Sequence, residues 1–128
     1  MLQNLHVKNL ALIEEAEVEF QPGLNILTGE TGAGKSIILG SVNLALGGKY
    51  SGDMLRKGTS FGIVELTFSV EKEEQAEAFR AMDIYPEDGC IILSRKLMEG
   101  RSISRINGET VSTNKLRQVA EILIDIHG

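Results

Sequence analysis

Eight consecutive residues, Gly29-Glu30-Thr31-Gly32-Ala33-Gly34-Lys35-Ser36, carry the strongest chemical signal in the chain. They fit the pattern G-x-x-x-x-G-K-[ST], the phosphate loop. A triphosphate presents several anionic oxygens that must be held without their hydration shell. Glycines let the backbone wrap closely and turn its N–H groups inward as an anion nest. A helix opening near Gly34 adds the positive end of its dipole. Lys35 supplies a mobile positive charge for the β and γ phosphates, and Ser36 offers a hydroxyl to Mg²⁺. Glu30 has no part in this chemistry, since a carboxylate beside a triphosphate repels it, and it is expected to point away. The bland alternative is a glycine-rich turn with an incidental lysine. At ordinary residue frequencies a chain of this length matches the four fixed positions by chance on the order of once in a few hundred, and the flanking pattern lowers that further.

Other candidates are weaker. Asn114-Lys115-Leu116-Arg117 superficially resembles the guanine-reading N-K-x-D motif, but its fourth residue is basic, so a GTPase reading is disfavoured. Arg95, Lys96, Arg101 and Arg105 concentrate positive charge over residues 90–107. Such strands could meet a phosphate backbone, although a solvated sheet face is the commoner explanation. Arg56-Lys57-Gly58 invites the same caution from spacing alone. His6 and His127 stand far apart and neither is read as a metal ligand. Ser36 lacks a His/Asp arrangement for nucleophilic catalysis. Cys90, in Cys90-Ile91-Ile92-Leu93, reads as a small hydrophobe in a buried strand rather than a reactive thiol.

The elements that must position the loop follow from periodicity. Residues 2–8 alternate weakly and 14–20 clearly, with Ala16, Val18 and Phe20 opposing Glu15, Glu17 and Glu19, as in a half-buried strand. Gln21-Pro22-Gly23 is a turn, and Leu24 to Thr28 a short apolar strand feeding the loop. Residues 35–46 carry Ile37, Ile38, Leu39, Val42, Leu44 and Leu46, apolar over most of a helical surface, as in a buried helix ended by Gly47-Gly48. A polar loop runs to about residue 60. Residues 61–70 form a strand with Val64, Leu66, Phe68 and Val70 on one face, and 72–82 are helical. Strands over 90–97 and 101–107 flank Met98-Glu99-Gly100, and Asn107-Gly108 signals a type I′ turn. Ser112 or Thr113 caps a last helix to about Leu123, and Ile124 to His127 starts another strand.

Composition bounds the rest. One domain is the prior for 128 residues. The hydrophobic fraction of 42% suffices for a core, which must rest on Leu, Ile and Val because aromatics make up only 5%. A net charge of −5 argues against a whole-surface nucleic-acid binder but allows a local basic patch. A single cysteine forms no intramolecular disulfide, which fits a reducing compartment. No apolar run approaches a membrane span and the first residues lack the plan of a signal peptide, so a cytoplasmic setting without membrane contact is expected.

Strands that look antiparallel precede the strand, phosphate loop and helix, the order of ABC-type ATPases. At this point Lys8-Asn9-Leu10-Ala11-Leu12-Ile13, and Leu24 to Thr28 running into Gly29 to Ser36, resemble the start of the RecN family of DNA-repair ATPases. Gly100-Arg101-Ser102, Arg105-Ile106-Asn107-Gly108, Val111-Ser112, Leu116 and the closing Ile124 to Gly128 extend the resemblance over nearly the whole chain. It implies an α/β P-loop NTPase, with residues 1–128 as the N-terminal lobe of an SMC-like, ABC-type ATPase head. In that lobe antiparallel strands flank the P-loop strand and helix.

The resemblance further implies a bacterial, nucleoid-associated ATPase of double-strand-break repair and recombination, with a long coiled coil splitting the head. ATP, with Mg²⁺ held through the nucleotide and Ser36, would lie between two heads of a homodimer that works on DNA. Gly29, Glu30, Thr31, Gly32, Ala33, Gly34, Lys35 and Ser36 would hold the nucleotide. Asn9 and Leu10 fall where related heads approach base and ribose, and Arg56 matches a loop arginine linking the nucleotide site to DNA. The family's Q-loop glutamine would follow the His127-Gly128 pair. Gly47-Gly48 lacks the preceding Leu-Ser of a signature motif, no apolar strand ends in an Asp-Glu pair, and heptads are missing. The chain is therefore expected to be a fragment that binds nucleotide with little hydrolysis, leaves apolar surface uncovered and self-associates. The alternatives are a small P-loop kinase, which needs an arginine-rich lid and an acceptor site, and a non-enzymatic module meeting DNA or a partner through the 90–107 strands.

Overall fold

The computed structural model describes the backbone of residues 2–20 and 32–124, and the side chains of these except 32–38. The expected turn at 21–23, the strand at 24–28, the first motif residues 29–31 and the closing segment 125–128 lie outside the described residues. In chain order the elements are β1 (Leu2–Leu10), β2 (Ile13–Glu19), α1 (Gly32–Ala45), a 3₁₀ turn (Gly52–Met54), β3 (Phe61–Ser69), α2 (Glu73–Ala81), β4 (Cys90–Met98), β5 (Arg101–Ile106), β6 (Glu109–Val111) and α3 (Thr113–Leu123).

All six described strands form one antiparallel sheet in the order β2-β1-β3-β4-β5-β6. The two-residue side-chain period decides its faces. Leu5 and Val7 of β1, Val64, Leu66 and Phe68 of β3, and Ile91, Leu93 and Leu97 of β4 are buried beneath the helices. α1 packs over β3, β4 and β1, and α3 over β5 and against α2. Leu116, Val119, Ala120 and Leu123 of α3 are buried at the i, i+3, i+4, i+7 spacing of a single helical face. Phe79 of α2 completes the core. The β5–β6 hairpin closes on Asn107 (φ 50°) and Gly108 (φ 87°), both left-handed as a type I′ turn requires.

Gly62 of β3 lies close against the end of β1. A Cβ there would lie 2.8 Å from the carbonyl oxygens of both Lys8 and Asn9, so the backbone contact excludes any larger residue without a shift.

Three expectations are corrected. Cys90 is only half-buried, because Ile91 and Leu93 take the core face and leave Cys90 and Ile92 on the opposite one; its Sγ lies 3.7 Å from Oε1 of Gln3. The basic residues of 90–107 do not share a face. Arg95 points into the core and is buried, whereas Lys96 lies over the Phe61 ring on the outer side. Finally, among the described side chains of α1, Ser41, Leu44 and Ala45 are buried but Leu39 is 68% exposed.

Candidate nucleotide-binding site

Five of the eight motif residues, Gly32, Ala33, Gly34, Lys35 and Ser36, form the first five positions of α1. Lys35 and Ser36 therefore stand where the helix begins, beside unpaired N–H groups and the dipole end that favour an anion. The first turn of α1 contains no acidic residue that would oppose one. This donor set fits a phosphate group. Gly29, Glu30 and Thr31 lie outside the described residues.

Two further segments flank α1. Asn9 and Leu10 end β1 at the tight turn into β2, with Asn9 (φ 57°) and Ala11 (φ 50°) both left-handed. The Asn9 amide donates to the Phe61 carbonyl at 3.0 Å, which locks the turn onto β3. The loop carrying Arg56 is tied to the same turn. Arg56 N–H donates to the Asn9 carbonyl at 3.1 Å, Ala11 N–H to the Met54 carbonyl at 2.8 Å, and Arg56 Nη1 to the Leu12 carbonyl at 3.2 Å. Leu10 and Leu55 add a bridge. Asn9, Leu10 and Arg56 are thus parts of one hydrogen-bonded unit. Leu10, Ala11, Met54, Gly40 and Leu44 line an apolar hollow of about 160 Å³ along the flank of α1. Gly40 stands about one helical turn beyond Ser36.

At its other end α1 meets arginines. Gly47 takes a left-handed φ of 104° and ends the helix, with Gly48 N–H donating back to the Asn43 carbonyl at 2.9 Å and Gly47 N–H to that of Leu44 at 3.0 Å. Arg95 Nη1 donates to the Leu44 carbonyl at 2.9 Å and to the Gly48 carbonyl, and its Nη2 donates to Ser102 Oγ at 2.8 Å. Arg117 Nε donates to the Gly47 carbonyl at 2.9 Å. Burial pulls the Arg95 guanidinium below its usual pKa, helped by the nearby charge of Arg117. Tyr50 donates to the Met98 carbonyl at 2.9 Å, and burial raises its phenol. Arg95, Arg101, Arg117 and Lys49 line a cleft of about 520 Å³ together with Tyr50, Ser51, Ser102 and Thr113; the Asp53 carboxylate accepts from the Ser51 hydroxyl at its margin.

The sequence reading missed the inward turn of Arg95, although a signal existed. Residues 91, 93, 95 and 97 share one register, and three of the four are large aliphatics.

Among the described residues no helix is long and apolar enough to cross a membrane. A family model described as an AAA domain matches residues 4–127. The chain is 44% identical over its whole length to a DNA repair protein RecN from Halalkalibacterium halodurans, and 40% identical to that of Bacillus subtilis. It spans 23% of the length of each of these relatives. Its fold matches the head of an SMC ATPase, solved in work on ATP-driven dimerization and DNA-stimulated activation, with a TM-score of 0.76 at 17% identity over 96% of this chain and 79% of that one. The chain belongs to the AAA-domain family of P-loop ATPases, whose domain implies ATP binding; over its whole length it is similar to part of RecN DNA repair proteins, and it shares its fold with SMC ATPases.

Proposed function

We propose that this chain is the ATP-binding lobe of a RecN-like ATPase that serves DNA double-strand-break repair and recombination in the bacterial cytoplasm. One observation carries the reading most directly: Lys35 and Ser36 stand in the opening turn of a 14-residue helix that has no acid there. The residues from Gly29 to Ser36 hold the phosphates, with the amides and the helix end as anion donors and Lys35 as the point charge. Ser36 contributes its hydroxyl to a nucleotide-bound Mg²⁺, which supplies charge neutralisation at the phosphates. Asn9 and Leu10 face base and ribose from the turn beside α1. Arg56, hydrogen-bonded to that turn, connects it to DNA bound elsewhere on the parent protein. ATP is shared with a second head, by analogy with the ATP-driven dimerization of the SMC ATPase of the same fold. Phosphoryl transfer needs positioned water and charge stabilisation, and the chain has no strand ending in paired acids to supply them, so the lobe by itself binds with little hydrolysis.

Replacing Lys35 by alanine tests the site. Calorimetric titration with Mg·ATP is expected to show affinity falling at least thirtyfold, in line with the roughly 2 kcal/mol or more lost with one partner of a charge-assisted contact. The far-UV spectrum should be retained. Unchanged affinity refutes the assignment.

A second reading is favoured by the cleft lined by four basic residues. There Arg101, Arg117 and Lys49 would meet a DNA backbone without any nucleotide. Each phosphate contact contributes about −0.9 to the slope of log K against log salt, so a slope near −3 without nucleotide, reduced by about one in Arg117→Gln, would support this reading. Binding that is independent of salt excludes it.

A further inference from the structure

Resting on the second reading above, we propose that the cleft at the C-terminal end of α1 takes a phosphomonoester group, a compact dianion, held by Arg101, Arg117, Lys49 and the Ser102 hydroxyl. All residues lining the cleft are among the described ones, and the phosphate loop takes no part.

Unbalanced charge is the first support. Lys49, Arg95, Arg101 and Arg117 line one cleft of about 520 Å³, and none of the four has a carboxylate in salt-bridge range among the described residues. Asp53 and Glu99 line the adjoining hollow instead, which shares Gly52 with the cleft, and Asp53 accepts from the Ser51 hydroxyl there. The carbonyls that end α1 offset only part of the excess. A helix terminus carries roughly half an elementary charge, and both Arg95 and Arg117 draw on this one, through Leu44, Gly48 and Gly47. Burial, and after it the charge of Arg117, pull the Arg95 guanidinium below its usual pKa. An anion in the cleft would relieve that field.

The donors are the second. Arg95 is 4% exposed and commits its guanidinium to structure, with Nη1 on two α1 carbonyls and Nη2 on Ser102 Oγ at 2.8 Å. Because Ser102 Oγ accepts from Arg95, its own proton is left to donate, and it has no acceptor among the described residues. Arg117 uses only Nε, on Gly47, so both of its Nη groups remain. Lys49 and Arg101 are exposed, and neither side chain has a hydrogen-bond partner among the described residues. A buried cation thus orients one hydroxyl donor, and three further cations with unused donors surround the same cleft.

Valence decides between phosphate types. A strand backbone repeats single charges along its length, and a surface that follows it spreads its cations accordingly. Convergence of three cations with unused donors on one cleft suits a phosphomonoester, which carries about −1.5 to −2 near neutral pH and presents three acceptor oxygens. Guanidinium groups meet such oxygens in pairs. The group can arrive on the phosphorylated end of a nucleic-acid strand or on a small phosphorylated molecule.

The test titrates inorganic phosphate, near neutral pH and at constant ionic strength, into the unaltered chain, Lys35→Ala and the double variant Lys49→Gln/Arg101→Gln. Backbone amide resonances report the site. Phosphate should move the amides of residues 48–52, 100–102 and 117 in the first two proteins, and chloride should not. The double variant, altered only at exposed side chains, should bind about tenfold more weakly. Phosphate that leaves these amides unmoved, or binds the double variant as tightly, overturns the proposal. If phosphate moves them, oligonucleotides of one sequence identify the source: a 5′-phosphate that tightens binding at least about fivefold over a 5′-hydroxyl marks a strand end, and no such gain marks a small phosphorylated molecule. Oligonucleotides that bind alike and lose affinity in Arg117→Gln, while phosphate moves nothing, overturn the monoester and leave the backbone reading standing. Phosphate bound at the cleft with no oligonucleotide binding supports the monoester and removes the backbone reading.

Discussion

His6 sits between two carboxylates on the outer face of the sheet, with Nε2 2.9 Å from Glu15 Oε2 and Nδ1 3.8 Å from Glu65 Oε1. Antiparallel register dictates this arrangement, since His6 is opposite Glu17 on β2 and Glu65 on β3. The hydrogen bond from His6 holds the Glu15 carboxyl below its ordinary value of 4.5. A carboxyl depressed by folding stabilises the fold above its ordinary pKa, and this contribution disappears as pH falls through the lowered folded value. The unaltered chain should therefore exceed Glu15→Gln in stability just above about pH 5, by a margin that shrinks toward zero in stronger acid. Urea titrations at a series of pH values measure it, and a margin that widens on acidification contradicts the assigned bond. At this scale the sequence was legible only in part. The motif from Gly29 to Ser36 was plain because its residue types have one joint purpose. The pairing of His6 with Glu15 depends on register between strands, which spacing along one strand does not determine.

Among the elements, α3 shows most directly how a short sequence specifies a boundary. Ser112 is extended and its Oγ accepts from Lys115 N–H at 3.0 Å, while Thr113, which the sequence allowed as the alternative cap, is instead the first helical residue and lies 3.3 Å from Ser104 Oγ. Loss of such a cap costs about 1 kcal/mol. Ser112→Ala is thus expected to lower the thermal midpoint by about 3–6 °C, measured by far-UV circular dichroism, and a midpoint unchanged within 1 °C would mean that Thr113 or water takes over the cap. Strong alternation made β2 and β3 readable, and turn chemistry at Asn107-Gly108 made the hairpin readable. β6 has three residues, too few for a period, and it exists because that turn folds it back on β5. The run Cys90-Ile91-Ile92-Leu93 hid which residues face the core, since four consecutive apolar residues have no alternation to report.

For the molecule as a whole, the uneven covering of α1 is the feature with the broadest consequence. The helix reads in sequence as apolar nearly all round, which predicts burial on more than one side. The described sheet covers one. Leu39 is 68% and Leu12 80% exposed, and each stands next in the chain to a residue lining the apolar hollow, Gly40 and Ala11 respectively. Contiguous apolar surface of this kind drives association. The relatives are more than four times the length of this chain, at 23% coverage, so a RecN-length protein has ample further material to cover the flank, which in the isolated 128-residue chain is open to a second copy. Sedimentation of the chain is expected to show a mass that rises with concentration in the range of tens of micromolar and above. Leu39→Glu should shift that rise to higher concentration with little change in thermal midpoint, because a substitution at an exposed site away from caps and cores usually alters stability by less than about 0.5 kcal/mol. A monomeric mass at every concentration would show that the flank of α1 is not adhesive. Association unaffected by Leu39→Glu would place the contact on another surface, with the outer face of the sheet around Ile92 next to be altered.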